Sequence, residues 1–421
     1  MKIWMLNHYA SKMFSGKAGR HYWFARELMN RGYEATIFAA STVYQSTVIE
    51  IGKEKYKICP SDGMDFVFVK TRPSVGNGFA RIASWIDFYR NIIPAAKAYA
   101  KKNGKPNVII ASSVHPLTLV AGIKIAKRLH VPCICEVRDL WPEAIFQFGM
   151  VKSNSIIGHI LTAGEHLIYK KADALIFTKE GDKDYLIEKR WTVDLGGDID
   201  LSKCYYINNG VDIASFDDRK ENDQLDDVDL LDGRLFNVTY TGAIRPVNNV
   251  GNILDAAIII NGNPKYNDIR FLIYGDGDQL EDLKRRVSSE NITNVKIKGS
   301  VERKFIPFIL NHSKLTVLNY SQTNYNWKRG NSSNKLFEYM ASGKPVISTV
   351  NMGYSIIKKY ECGVELDCNT PEELAKQVIL FHDMPKEEYE AIGQNARRGA
   401  FDFDYVNLTS RLETVIKSVV R

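Results

Sequence analysis

Apolar runs of three to six residues alternate along this chain with longer stretches whose apolar positions recur at helical spacing. A run over residues 1–6 is followed by a helical pattern through Phe24, Leu28 and Met29, which Gly32 ends before a second run over 35–39. That is a βαβ unit, from which parallel sheets are built. Further runs at 66–69, 108–111, 132–136 and 174–177 predict a doubly wound domain over residues 1–206. The pattern then breaks: GVDIASFDDRKENDQLDDVDLLDGRL is rich in Asp and has no apolar period, which predicts a linker over 207–235. Its Asp spacing lacks the central glycine and closing glutamate of a calcium loop. Runs at 237–240, 270–274, 295–298, 315–318 and 346–348 resume the alternation, predicting a second doubly wound domain over 236–395. A helical segment over 396–421 closes the chain and is expected to pack back toward the first domain. The fold class is α/β, two doubly wound Rossmann-like domains facing across a cleft.

Within the second domain, residues 329–349 (RGNSSNKLFEYMASGKPVIST) pass from a polar run through a short helix into a buried strand. Ser332, Ser333 and Asn334 are good helix caps, Leu336, Tyr339 and Met340 fall at helical spacing, and Gly343 with Pro345 stop the helix. Lys335 and Glu338 share the other face near the helix start, where unpaired backbone N–H groups and the helix dipole favour an anion. The alternative is a polar face that is merely solvated.

Length and charge refine the picture. At 421 residues the chain exceeds one ordinary core, and 45% hydrophobic with 25% charged residues is ordinary for a globular protein. Residues 1–150 carry 21 Lys and Arg against 10 Asp and Glu, an excess of +11, whereas the other 271 residues carry −4. The net +7 is therefore an N-terminal property and points to an acidic surface such as a phospholipid layer. No nucleic-acid recognition motif accompanies it. Six scattered cysteines without metal-type spacing imply a reduced, cytosolic protein, and the apolar N-terminus lacks a signal-peptide core.

Ligands of open α/β sheets bind outside the carboxyl ends of the strands, so residues just after each run carry the candidate chemistry. After the first run, Gly16 and Gly19 bracket a loop with cations Lys17 and Arg20; it is neither the dinucleotide fingerprint nor a P-loop, and a plain turn is the alternative. Ser112, Ser113, Val114, His115 and Pro116 end the fourth run, where His115 is a ligand, a proton carrier or a structural residue. Glu136, Arg138 and Asp139 follow the next run and suit either acid–base work or mutual pairing. In the second domain Gly242 and Arg245 follow one strand, and Gly275 and Gly277 follow the next. With Lys335, a helix N-terminus and Glu338 as acceptor, this set suits a diphosphate and a ribose diol.

The motifs GKAGRHYWFARELMNRGYEATIFAAS, SSVHPLTLVAG, EVRDLWPE, INNGVD, YTGAIRPVNN, FLIYGDG and NKLFEYMASGKPVI, in that order, resemble a retaining glycosyltransferase of family four with the GT-B fold. The resemblance is to the bacterial O-antigen and capsule subgroup, N-acetylfucosaminyltransferase-like. It implies a nucleotide-sugar donor, a UDP-sugar, with Glu338 on the ribose hydroxyls and Arg245 and Lys335 on the diphosphate. It places Gly275 and Gly277 near the base, Gly16 and Gly19 near the sugar or diphosphate, and Asp139 at the acceptor hydroxyl beside Arg138 and His115. Two positions depart from the family: Gly330 stands where a first motif glutamate is usual, and Asn248 and Asn249 stand near a missing lysine. Asn331, Ser332 and Asn334 are the candidates for the vacant donor-sugar contacts. No metal or cofactor is implied.

Residues 78–102 put Phe79, Ile82, Ile86, Tyr89 and Ile93 on one helical stripe among basic residues, which suits either peripheral contact with the inner face of the plasma membrane or packing on the sheet. The expectation is a cytoplasmic, metal-independent hexosyl- or N-acetylhexosaminyl-transferase acting on a lipid-linked or oligosaccharide acceptor. The alternatives are a UDP-sugar 2-epimerase of the same fold and a non-catalytic subunit of a glycan-assembly complex.

Overall fold

The computed structural model describes residues 1–43, 46–74, 78–113, 115–147, 149–321 and 327–420, so Val114 lies outside the described residues. The chain forms two compact units, Met1–Asn208 with Tyr405–Arg421, and Asn209–Asp404.

The N-terminal unit is built on one sheet of β1 (Lys2–Leu6), β2 (Glu34–Ala40), β3 (Tyr56–Ser61), β4 (Met64–Val69), β5 (Val108–Ser113), β6 (Cys133–Val137), β7 (Ala174–Phe177) and β8 (Cys204–Tyr206). Their order is β8-β7-β6-β5-β1-β2-β4-β3, and only β3 is antiparallel to its neighbour. Strands β5, β6 and β7 are buried at every position, as a sheet covered on both faces requires. The edge strand β3 escaped the apolar pattern because it is half exposed and contains Pro60, which only an edge tolerates.

Helices α1 (Ser11–Gly16), α2 (Arg20–Asn30), α3 (Phe79–Asn103), α4 (Pro116–Leu129) and α5 (Ile156–Lys171) belong to this unit. The loop expected around Gly16 is therefore partly helical. The C-terminal helix Tyr405–Val419 lies along α2: the Tyr405 ring meets Phe24 edge-on at 5.3 Å, and Glu413 accepts from Arg31 at 3.0 Å and from the Tyr33 hydroxyl at 2.5 Å.

Helix α3 turns Phe88, Ile92, Ala95, Ala96 and Tyr99 to the core. The stripe singled out in the sequence is split: Phe79, Ile82 and Ile86 are exposed, whereas Tyr89 and Ile93 are partly buried against the core. Among the described residues no helix is long and apolar enough to cross a membrane, and all six cysteines are free.

The C-terminal unit has a parallel sheet of β9 (Phe236–Thr241), β10 (Ile269–Tyr274), β11 (Val295–Gly299), β12 (Leu315–Leu318), β13 (Val346–Ser348) and β14 (Gly363–Glu365), in the order β11-β10-β9-β12-β13-β14. Strand order reverses between β9 and β12, the switch point at which such sheets bind ligands. Helix α6 (Asn334–Ala341) leads into β13 and buries Leu336, Phe337, Tyr339 and Met340. Each such side chain contributes about 1.5–3 kcal/mol.

The stretch expected as a linker is part of this unit. It forms helices Ile213–Asn222 and Val228–Leu231, whose starts are capped by the side chains of Asp212 and Asp227. Asp227 and Asp229 also hold Lys298 at 2.7 and 2.6 Å. The aspartates that looked solvated are caps and ion-pair partners, which is why composition misassigned them. The unit also keeps residues 396–402, the end of helix Lys386–Asp402, so the terminal segment that joins the N-terminal unit starts at Tyr405.

Candidate functional site

The switch point of the C-terminal sheet is organised by Tyr339 of α6. Its buried hydroxyl accepts from the Thr241 N–H at 3.0 Å and lies 3.2 Å from the Thr241 hydroxyl, which pins the helix to the end of β9. Lys335, one turn earlier, is thereby laid across the loop that follows β9. Its ammonium sits 4.6 Å from the centroid of the Tyr240 ring and 4.7 Å from that of Tyr320, and donates to the Tyr240 hydroxyl at 3.3 Å. Burial pushes its pKa down to about 7, against the opposing pull of the Glu338 carboxylate. The enclosed amine is thus poised to take up a proton when an anion arrives.

Backbone geometry supplies the rest of an anion site. The N-cap Ser333 makes no side-chain cap hydrogen bond and its carbonyl accepts from the Leu336 N–H at 3.2 Å, so among the described residues the Asn334 and Lys335 N–H groups at the start of α6 are left to another acceptor. Glu338, one turn beyond, is 18% exposed in its side chain, and its Oε1 accepts from Arg303 at 3.0 Å.

Three glycines let these loops come together. A Cβ on Gly242, at φ 144°, would stand 2.9 Å from Lys335 Cδ, so the glycine gives the lysine its path. A Cβ on Gly275 would lie 1.8 Å from the Gly242 carbonyl oxygen, and one on Gly277 2.2 Å from that of Ile244. Both glycines accordingly let the loops after β9 and β10 touch backbone to backbone, through Gly242 N–H to Tyr274 O at 2.9 Å and Ile244 N–H to Asp276 O at 2.8 Å. Gly275→Ala should cost about 2 kcal/mol of stability through this clash. A denaturant midpoint equal to that of the wild type would refute the close approach.

The remaining sequence candidates divide. Arg245 is exposed on the same loop, and its side chain makes no hydrogen bond or ion pair among the described residues. Asn248 and Asn249, near the missing lysine, are structural: both carbonyls accept from Asn319, at 2.7 and 2.6 Å. Asn331 Oδ1 accepts from the Ser333 N–H at 2.9 Å, and the Ser332 carbonyl accepts from Asn209 at 2.6 Å. Asn334 is exposed at the first position of α6. Gly330 has φ 97°, a backbone in which any side chain is strained, and its N–H donates to Trp327 O at 3.1 Å. The departure at this position is therefore built into the loop's conformation.

In the N-terminal unit the candidates after the strands are less alike than they looked. The cations Lys17 and Arg20 are both engaged: Lys17 with Asp62 at 2.8 Å, and Arg20 Nε with Glu136 at 2.7 Å. Glu136 is fully buried, also accepts from Ser112 at 2.6 Å, and is held well below the usual carboxylate range against its burial, by Arg20 and His21. It belongs to a structural ion cluster. Gly16 has open space where a Cβ would stand, whereas Gly19, at φ 113°, caps α2 against Met13.

His115 is fully buried, 3.0 Å from His8 Nδ1 and stacked on Trp85 at 4.7 Å. Burial, then His8 and Arg81, keep it neutral, so it positions the start of α4 and offers an acceptor no exposed atom. Arg138 is tied by its backbone to Ser113 and Thr178. Asp139 is half-buried and lines a cavity of about 350 Å³.

The residues that sequence reasoning missed are Tyr320 and Arg303, with Tyr240 missed as a ring wall. Tyr320 lies two residues past β12, so the strand-end rule reaches it. Arg303 opens the short helix Arg303–Phe305, four residues past the end of β11, and no local signal marks it. Among the described residues no group of His, Cys, Asp and Glu could hold a metal ion.

Residues 222–399 match the family model described as glycosyl transferases group 1, and residues 18–194 match the glycosyl transferase 4-like domain. The 2-deoxystreptamine N-acetyl-D-glucosaminyltransferase of Niallia circulans is 32% identical over 90 residues, 21% of this chain and 21% of that protein. The chain thus spans about a fifth of the length of the curated relative it matches. Sucrose-phosphate synthase from Thermosynechococcus elongatus has a TM-score of 0.70 at 15% identity, covering 99% of this chain and 98% of its own. The HepE protein of Anabaena, solved in complex with UDP-glucose, has a TM-score of 0.64 at 15% identity, covering 99% and 100%. At these identities the structural likenesses speak for the two-domain GT-B fold.

Proposed function

We infer, for a chain that joins a glycosyl transferase 4-like domain to a group 1 glycosyltransferase domain on the GT-B fold, a transferase that uses a nucleotide sugar, specifically a UDP-sugar, with retention of anomeric configuration. The observation that carries the donor assignment is Lys335, enclosed by Tyr240 and Tyr320 over Gly242 at the N-terminal turn of α6, with Glu338 one turn along the same helix. A diphosphate would take the ammonium and the first-turn N–H groups, with Arg245 as second cation, and the ribose diol would take Glu338 in place of Arg303. Gly275 and Gly277 keep the loops beside the base thin. Asn334 and Ser332 take the donor sugar, where a first glutamate would strain the loop at Gly330.

In the reaction the bond between the sugar's C1 and the β-phosphate oxygen breaks, and its electron pair leaves with UDP. A bond from C1 to the acceptor oxygen forms, and the acceptor proton passes to the leaving phosphate. Fixed cations and the helix N-terminus stabilise the charge that develops on that phosphate. Asp139, with Arg138, serves the acceptor, a lipid-linked or glycan hydroxyl in the synthesis of a bacterial surface polysaccharide. The exposed Phe79, Ile82 and Ile86 of α3 support peripheral contact with the membrane on the cytoplasmic side.

A panel of UDP-sugars with a membrane lipid extract, read by UDP release, tests this. UDP should be released only when acceptor is present. Conversion of a UDP-sugar to its 2-epimer without acceptor, or no turnover with any donor, would contradict it.

Lys335 also ties donor binding to pH. Its folded pKa is lowered from 10.5 to about 7, so above pH 7 the empty site is increasingly neutral and a diphosphate must recruit a proton. UDP affinity should fall up to about tenfold per pH unit between pH 7.5 and 9. Calorimetry in buffers of different ionisation enthalpy should register proton uptake on binding. An affinity flat across that window would show that Lys335 does not meet the diphosphate.

A further inference from the structure

The cavity that Asp139 lines is walled mainly by apolar side chains. Leu119, Val120 and Ile123 of α4 face Ile160, Leu161 and Ile168 of α5 across it. Its volume, about 350 Å³, lies within the roughly 300–1,000 Å³ of small-molecule sites. The one carboxyl deep in its wall, Glu165, accepts from the Tyr169 and Tyr185 hydroxyls at 2.7 and 2.6 Å, and burial pushes its pKa up to about 8 against them. Asp139 is the other carboxyl of the lining, and Lys124 and Lys171 are its two lysines.

The apolar wall continues onto the surface instead of being sealed by polar side chains. On α5, Ile160 and Leu167 belong to the cavity wall and are still 64% and 48% exposed, and Ile156 at the start of the helix is 80% exposed. On the other side the wall joins α3. Trp141 meets Trp85 edge-on at 5.8 Å, and Lys124 donates to the Tyr89 hydroxyl while lying 5.1 Å from its ring centroid. Trp85 and Tyr89 flank Ile86, which with Ile82 and Phe79 forms the exposed apolar stripe of that helix. A mainly apolar cavity, a rim of exposed aliphatic side chains and two lysines in the lining suit an apolar chain with an anionic head.

We propose that this cavity holds the hydrocarbon chain of a phosphate-bearing lipid acceptor, with the phosphate at Lys124 and Lys171 and the hydroxyl to be glycosylated toward Asp139. The proposal rests on the assignment of Asp139 to the acceptor. It goes beyond that assignment by naming where the lipid is held and by what.

The test compares dodecyl phosphate with butyl phosphate, each below its aggregation concentration, by the fluorescence of the intact protein and by calorimetry. The two share a head group, and each methylene taken from water is worth about fourfold in affinity. Dodecyl phosphate should bind at least 100-fold more tightly. Two variants narrow the cavity: Gly164→Phe, at a lining position where a Cβ would meet nothing within 4 Å, and Val120→Trp, at a partly buried position on the facing helix. Each should weaken dodecyl phosphate at least tenfold and leave UDP affinity unchanged.

Equal affinity for the two alkyl phosphates, or dodecyl binding untouched in both variants, would overturn the proposal. If UDP binds and the chain-length effect is absent, the cavity assignment alone fails. If the chain-length effect is present and UDP does not bind, the transferase reading fails and the cavity stands.

Discussion

Glu338→Ala is expected to weaken UDP binding by about 100-fold or more while the protein stays folded. The loss follows from the chemistry of the ribose diol: two hydroxyl donors meet the two oxygens of one carboxylate, and hydrogen bonds to a charged group contribute about 1.5–3 kcal/mol each. The fold should survive because Glu338 shares the polar face of α6, and its ion pair is with Arg303, whose side chain is 56% exposed. Such pairs contribute about 0–1 kcal/mol, and alanine is the best helix former. Calorimetry with UDP beside a melting curve separates the two effects. Unchanged UDP affinity in a folded variant would remove Glu338 from the donor site.

Lys335→Met should lower kcat/KM by about 100- to 1,000-fold, the scale seen when one preorganised donor to a developing oxyanion is removed. Methionine keeps the length and apolar stem that cross Gly242 and lie between the two tyrosine rings, so what is lost is the charge. Stability should move the other way. Burial lowers the lysine's folded pKa from 10.5 to about 7, so the wild-type fold carries a cost that is fully present below pH 7 and is relieved as pH rises from 7 toward 10.5. The variant should therefore melt at or above the wild-type temperature, with the largest gain in acid. An active site that trades stability for a poised cation behaves this way. Retained activity, or a variant less stable than the wild type at pH 6, would refute this account of the lysine.

How much of this was legible in the sequence varies with the physics of each element. Strands buried on both faces, such as β5 (Val108–Ser113) and β7 (Ala174–Phe177), write continuous apolar runs and were read within a residue or two. The edge strands Tyr56–Ser61 and Gly363–Glu365 are half exposed and write no such run. The Asp-rich stretch misled because aspartate serves caps and ion pairs as readily as it serves solvated chain, and composition does not separate the two. Gly343, at φ 67°, does end α6 as its position suggested.

At the site, Lys335 and Glu338 were legible from helical spacing, since one helix face is a local property. Local sequence could not show that Lys335 is enclosed, because its walls, Tyr240 in β9 and Tyr320 just past β12, lie 80 residues apart in the chain. Nor could it show that Arg20 and Glu136 neutralise each other, a pairing across 116 residues. Gly275 and Gly277 were expected near the base of a nucleotide, and what the structure shows is that they make room for the neighbouring loop after β9.

The most direct test of the central claim is a crystal structure of the protein with UDP bound. The diphosphate should lie within hydrogen-bond distance of Lys335 Nζ and of the backbone N–H groups that open helix Asn334–Ala341, with both ribose hydroxyls on Glu338 and Arg303 displaced from it. UDP ordered at any other place, or a Glu338 still paired with Arg303 at saturating UDP, would contradict the account.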